Sequence, residues 1–177
     1  MSLATLTKSG RAGMAQALAA QPLHFAWGSG EPGWDDDGGQ HLEQTLVNAV
    51  SLNNELGRRA VTSVGYALPD PQGEITIPVG RQPDGTVEEA RYTASLEPTP
   101  YLYLRVNFDF GDASDQIVRE VAVFLGTRLK DDLPPGQKYF KPGDLDNPGR
   151  LLVIQRQDPT IARSPAVRQS FEFVLAI

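Results

Sequence analysis

A chain of 177 residues, 40% hydrophobic and 21% charged, has the composition of an ordinary globular protein, and folding would bury roughly 70% of the surface its unfolded form exposes. The net charge is -6 and the 16 Lys and Arg residues are scattered, so no basic stripe is present to neutralise phosphates and nucleic acid is excluded as the expected partner. Cysteine is absent, which excludes disulfides, thiolate metal sites and cysteine nucleophiles.

Lys8 and Arg11 stand before an alanine-rich run, but Gly13 and Gln16 interrupt it and its large apolar residues are Met14 and Leu18 alone. That is too weak for a signal-peptide core and too short to cross a bilayer. The expectation is a soluble protein made in a cytoplasm, without membrane insertion. Residues 5 to 20 predict a helix instead: Thr7 or Ser9 can cap it, Met14 and Leu18 share a face, and Pro22 stops it. Leu23, Phe25 and Trp27 then alternate as a strand, and residues 28 to 39 form a glycine-rich acidic turn. Leu42, Leu46 and Ala49 predict a second helix over 40 to 49, ended by the turn chemistry of Asn53, Asn54 and Gly57.

Beyond residue 58 the period changes to two. In residues 101 to 110, Leu102, Leu104, Val106, Phe108 and Phe110 share one face and Arg105, Asn107 and Asp109 the other, which predicts a half-buried strand. Val167, Phe171, Phe173, Leu175 and Ile177 repeat this against Arg168, Ser170 and Glu172, predicting a docked C-terminal strand. Further strands are expected over 60–68, 74–79, 87–96, 117–125 and 151–157, with turns at 69–73 and 82–85. No helical pattern separates them, so antiparallel pairing follows. The expected class is α+β, N-terminal helices packed on a mainly antiparallel β-sheet or sandwich. A single domain is expected over 1–177, with residues 1–57 helix-containing and 58–177 β-rich. One long aperiodic loop, 127–149, carries four prolines together with Tyr139 and Phe140.

Catalytic and ligand signatures are absent from the sequence. No G-x-S-x-G elbow exists, and His24 and His41 adjoin no partner motif. Asp35, Asp36 and Asp37 are consecutive rather than alternate, and position twelve counted from Asp35 is Leu46, which cannot coordinate calcium; an irregular calcium site stays open at this point, while a solvated acidic loop is the default. The two histidines lack zinc-ligand spacing. Glu88 and Glu89 are strand neighbours and point to opposite faces, a poor glycosidase pair. Gly28-Ser29-Gly30 is followed by Pro32 and Trp34, not by a phosphate-binding helix start. No enzyme activity, cofactor or metal is expected.

Three ordered pieces carry a family resemblance. The first is Leu6-Thr7-Lys8-Ser9-Gly10 leading into the alanine-rich helix, then Pro22-Leu23 and Ala26-Trp27-Gly28-Ser29-Gly30. The second runs from Leu46-Val47-Asn48 through Leu52-Asn53-Asn54-Glu55 to Arg58-Arg59, and the third is Val118-Arg119-Glu120-Val121-Ala122-Val123-Phe124-Leu125-Gly126. Together, over residues 5 to 126, they resemble the N-terminal attachment region of bacteriophage tail fibre and tail-collar proteins, with alanine at 122 where the third motif usually has glycine.

The resemblance implies a non-enzymatic structural subunit of a phage tail, joining baseplate and tail fibres, located in the virion and assembled in the host bacterial cytoplasm. No repetitive shaft follows in these residues, which points to a short baseplate or adaptor subunit. The implied partners are other tail, baseplate or fibre proteins and further copies of the chain in a trimeric or hexameric arrangement. Interface residues of such subunits are commonly loop aromatics and arginines. The candidates are Trp34 with the adjacent Asp35, Asp36 and Asp37, then Arg58, Arg59, Tyr139 and Phe140; the alternative is a satisfied surface arginine, or an aromatic tucked into its own domain. A second reading is a carbohydrate-binding β-sandwich acting as a receptor-binding module, with Trp34 stacking on a sugar beside three carboxylates.

Overall fold

The computed structural model describes residues 4–81 and 86–177, so the turn expected at 82–85 lies outside the described residues. In chain order the elements are helix α1 (Lys8–Ala19), β1 (Leu23–Gly28), a 3-10 turn (Pro32–Asp36), a single α-helical turn (Gln40–Glu43), β2 (Glu55–Ala60), β3 (Ser63–Pro69), β4 (Ile75–Arg81), β5 (Val87–Ser95), β6 (Tyr101–Phe108), β7 (Ile117–Leu125), β8 (Arg128–Leu129), a second 3-10 turn (Pro142–Asp144), β9 (Leu145–Asn147), β10 (Arg150–Ala162) and β11 (Gln169–Ala176). The class is the expected one, mostly antiparallel β with minor helix.

Two compact units are formed. The first comprises Met1–Gln21, Thr62–Arg105 and Phe171–Ile177. Its helix begins where expected, because the Thr7 hydroxyl accepts a hydrogen bond from the Gly10 N–H at 3.1 Å. Its sheet has the order β11-β6-β3-β5-β4, with β5 returning between β3 and β4. Leu102 and Leu104 are buried on one face of β6 and lie opposite Tyr66 and Val64 of β3. The turn at 69–73 is closed by Asp70, whose carboxylate accepts from Gln72 N–H and the Thr93 hydroxyl. Glycine is needed at 73, since a Cβ there would lie 2.2 Å from the Tyr92 backbone. Ile177 is docked as expected, donating its N–H to Pro100 O and accepting from the Arg11 guanidinium.

The second unit comprises Pro22–Val61 and Val106–Ser170. Its main sheet, β10-β7-β1-β2, is antiparallel throughout, and β8 and β9 form a small two-stranded sheet. The simple alternation expected of β1 is replaced by burial of all six residues, because both faces of this sheet are covered. On one face Phe25 and Trp27 pack on Phe108, with Trp27 stacked at 3.7 Å between ring centroids. On the other, Ala26, Ala122 and Phe124 pack with Leu52, and Leu151 and Ile154 of β10 join them.

Four expectations are corrected here. The helix over 40–49 is a single turn: Gln44 is already extended at ψ 134°, since Thr45, Val47 and Asn48 are poor helix formers and the side chains of Leu42 and Val47 are exposed. Phe110 leaves the core face because β6 ends at Phe108 and the chain turns, the Asp112 carboxylate accepting from Asp109 N–H. Val167 likewise precedes β11 and is exposed. The strand β2, in a stretch read as turn, forms because β1 offers it a complete antiparallel register.

Candidate partner interface

Two irregular segments of the second unit carry six of the eight candidate residues, while Arg58 and Arg59 stand on β2, and each segment is fastened to the sheet by buried charge. The first is the acidic stretch after β1. Arg119 on β7 reaches it with Nε donating to Asp35 Oδ1 at 2.8 Å and Nη1 donating to Ser29 O at 2.8 Å. The hydrogen bond from Arg119 holds the Asp35 carboxyl below its ordinary range. Asp37 turns the other way: its carboxylate accepts from Gly39 N–H, His41 N–H and His41 Nδ1 at 2.8–2.9 Å. Burial alone would push Asp37 up, but those hydrogen bonds outweigh it and the net shift is downward. The carboxylates of Asp35 and Asp37 are therefore directed at Arg119 and His41, not gathered about a common cation. Asp36 is exposed, without an ion pair among the described residues.

Trp34 anchors this stretch. Its ring stacks on His41 at 5.0 Å and 2°, and the Arg156 guanidinium lies 4.5 Å from its centroid. It also lies against Gly30, where a Cβ would come 2.5 Å from the indole and where φ is +62°. An aromatic platform for a sugar needs an open face, whereas this indole is engaged by its own chain. Below it Glu120, fully buried, accepts from Asn53 N–H at 2.7 Å and pairs with Arg156 at 3.4 Å.

The second segment is 127–149. Arg58 and Phe140 were candidates to face a partner, with a satisfied surface arginine and an aromatic tucked into its own domain as the alternatives; both are buried inside the unit. The Arg58 guanidinium is bidentate to Glu55 at 2.8 and 2.6 Å, donates to Thr127 Oγ1 and Pro148 O, and lies 4.0 Å over the Phe124 ring. Arg59 pairs with Asp112. Tyr139 is packed over Gly57, whose Cβ would lie 2.4 Å from the phenol ring, and meets Phe108 edge-on. Its hydroxyl is buried without a hydrogen-bond partner among the described residues, and burial pushes its pKa up. His24 sits beside Phe140; burial first, and then the Arg58 charge, lower its pKa from 6.5 to about 4, so its ring is neutral.

Sequence reasoning missed the residues that do the fastening: Arg119, Glu120, Arg156 and Arg163. A signal existed for the first two, a charged pair inside the otherwise apolar run Ile117–Leu125. Arg163 had none; it is buried under Trp27 and donates to three backbone carbonyls, of Asp109, Asp112 and Val167.

What results is a rigid sheet carrying two preset segments, with no nucleophile, base and acid converging on a cleft among the described residues. A comparison with curated proteins gave no match. The model of one family, described as baseplate wedge 3 tail fiber network component, matches residues 3–177. That span takes in all three ordered motif pieces and the C-terminal third beyond them, and the chain therefore belongs to the baseplate wedge 3 tail fiber network component family.

Proposed function

We propose that the chain is a preorganised, multi-copy connector between baseplate and tail fibres, working through its surfaces and not through a reaction. As a family member it is a structural, non-enzymatic component of the phage tail, located in the virion tail and associated with other tail proteins. The observation that carries the connector reading is the internal fastening of both irregular segments of the second unit by Arg119, Arg156 and Arg58. Segments already ordered lose little conformational entropy on docking, so more of the contact energy appears as affinity. Within the candidate set, the 34–37 stretch with exposed Asp36 is the part proposed to meet a neighbour; Arg58, Tyr139 and Phe140 set its rigid background. The proposed assembly is a homo-oligomer of three or six copies.

Co-expression with neighbouring tail proteins, followed by native mass spectrometry and negative-stain microscopy, tests this. The expected result is incorporation into tail particles in multiples of three. A strict monomer that never joins such particles overturns the reading.

A further inference from the structure

A closed ring of three or six copies needs two different patches on each subunit, because only a two-fold contact can use one patch against itself. The chain is segregated in charge in a way that supplies such a pair. Its first 30 residues contain Lys8 and Arg11 and no carboxylate side chain; residues 31–57 contain Glu31, Asp35, Asp36, Asp37, Glu43 and Glu55 and no cation. Within the acidic stretch Asp35, Asp37 and Glu55 are consumed by Arg119, His41 and Arg58, whereas Glu31 and Asp36 are exposed. Within the basic stretch Lys8 is exposed without an ion pair among the described residues, and Arg11 meets a backbone carbonyl only.

Both places also carry exposed apolar side chains, as do other positions such as Val79 and Leu96. Helix α1 buries Ala15 alone, and Leu6 and Met14 are about half exposed beside its cations; an isolated helix of about 12 residues is marginal in water, so it gains from being covered. On the acidic side Leu42 is exposed, and Val47 and Val50 are 83% and 81% exposed. Two copies meeting through α1 on both sides would oppose like charges, so the complementary arrangement is head-to-tail.

We infer that α1 of one copy, through Lys8, Arg11 and Met14 with Leu6 just before it, docks on the 31–50 stretch of the next copy, at Glu31, Asp36, Leu42, Val47 and Val50. The contact rests on the reading of the chain as a repeated subunit. It is heterologous, and it closes or propagates by repetition.

Sedimentation of the purified chain tests it. Wild type is expected to associate with increasing concentration, about tenfold or more tightly at roughly 50 mM than at roughly 500 mM salt. Reversing either patch alone, by Lys8→Glu with Arg11→Glu or by Glu31→Lys with Asp36→Lys, is expected to leave a folded monomer by circular dichroism. The chain carrying all four reversals regains association, an outcome that damage to the fold would not produce. A wild type monomeric under every condition overturns this contact, and the repeated-subunit reading falls with it only if the chain also never joins tail particles. Oligomers that persist in the single-patch variants, or a four-fold variant that stays monomeric, overturn this contact while leaving that reading in place.

Discussion

Arg58 and Phe140 exchange both of their backbone hydrogen bonds, each at 2.8 Å, so the long irregular segment adds one antiparallel rung to the edge of β2. The same Arg58 side chain, fully buried, then reaches Thr127 and Pro148 near the two ends of that segment. A single residue thus closes the segment through its backbone in the middle and its guanidinium at the ends, and protects an edge that would otherwise be open to pairing.

Removing that guanidinium should be costly. Arg58→Ala leaves the Glu55 carboxylate without its guanidinium partner and takes from the Pro148 carbonyl one of its two donors, the Thr127 hydroxyl being the other, and is expected to destabilise by about 3–5 kcal/mol. Urea denaturation measures this, and limited proteolysis should show new cleavage within 127–149. Unchanged stability with the segment still protected would show that the packing of Phe140 alone holds it.

At Gly57 the constraint is steric. A methyl group would meet the Tyr139 ring, and φ is +152°, so Gly57→Ala is expected to cost about 2–4 kcal/mol. Combining it with Tyr139→Ala should give less than the sum of the two single costs, because the contact with the ring disappears while the Phe140 carbonyl at 2.8 Å and the backbone angle still oppose the methyl group. Strict additivity in a double-mutant cycle would show that the ring does not determine the glycine.

Stability should fall with acid through His24. Its folded pKa of about 4 lies below the ordinary 6.5, so between these values the unfolded chain takes up a proton that the native ring refuses. The stabilisation is complete above pH 6.5, declines as pH falls towards 4, and amounts to about 3 kcal/mol in all. His24→Leu is expected to flatten the stability-pH curve in that window. A curve unchanged by this substitution would count against the buried, neutral ring.

Adjacent aspartates should differ. Asp35→Asn loses the Arg119 pair and is expected to lower the melting temperature, whereas Asp36→Asn, exposed and free of ion pairs among the described residues, should leave it unchanged. Differential scanning calorimetry of the two variants decides this, and equal effects would contradict the distinct roles given to them.

The single-domain expectation is also open to measurement. Both tryptophans, Trp27 and Trp34, lie in the second unit, whereas α1 and most of the β3, β4 and β5 sheet lie in the first. Far-ultraviolet dichroism therefore follows both units, while tryptophan fluorescence follows the second alone. Coincident urea transitions are the outcome expected of one cooperative domain, and separated transitions would show two.

What could be read from the chain alone was whatever depends on local period and local chemistry. The capping Thr7, the β6 alternation from Leu102 to Phe108, the β7 span Ile117–Leu125 and the three ordered motifs were all legible, because side-chain direction in a strand and donor satisfaction at a helix start are set by nearest neighbours. Tertiary structure decided the rest. Phe110 left the core where β6 ended, the second helix shrank to one turn, and β1 lost its alternation once its second face was covered. Most of all, the sequence read Arg58 as a surface residue and left open whether Phe140 faces a partner or anchors its loop to its own domain. Burial of a charge depends on partners 69 and 90 residues away, Thr127 and Pro148, and no local pattern announces which distant acceptors the fold will bring to a guanidinium.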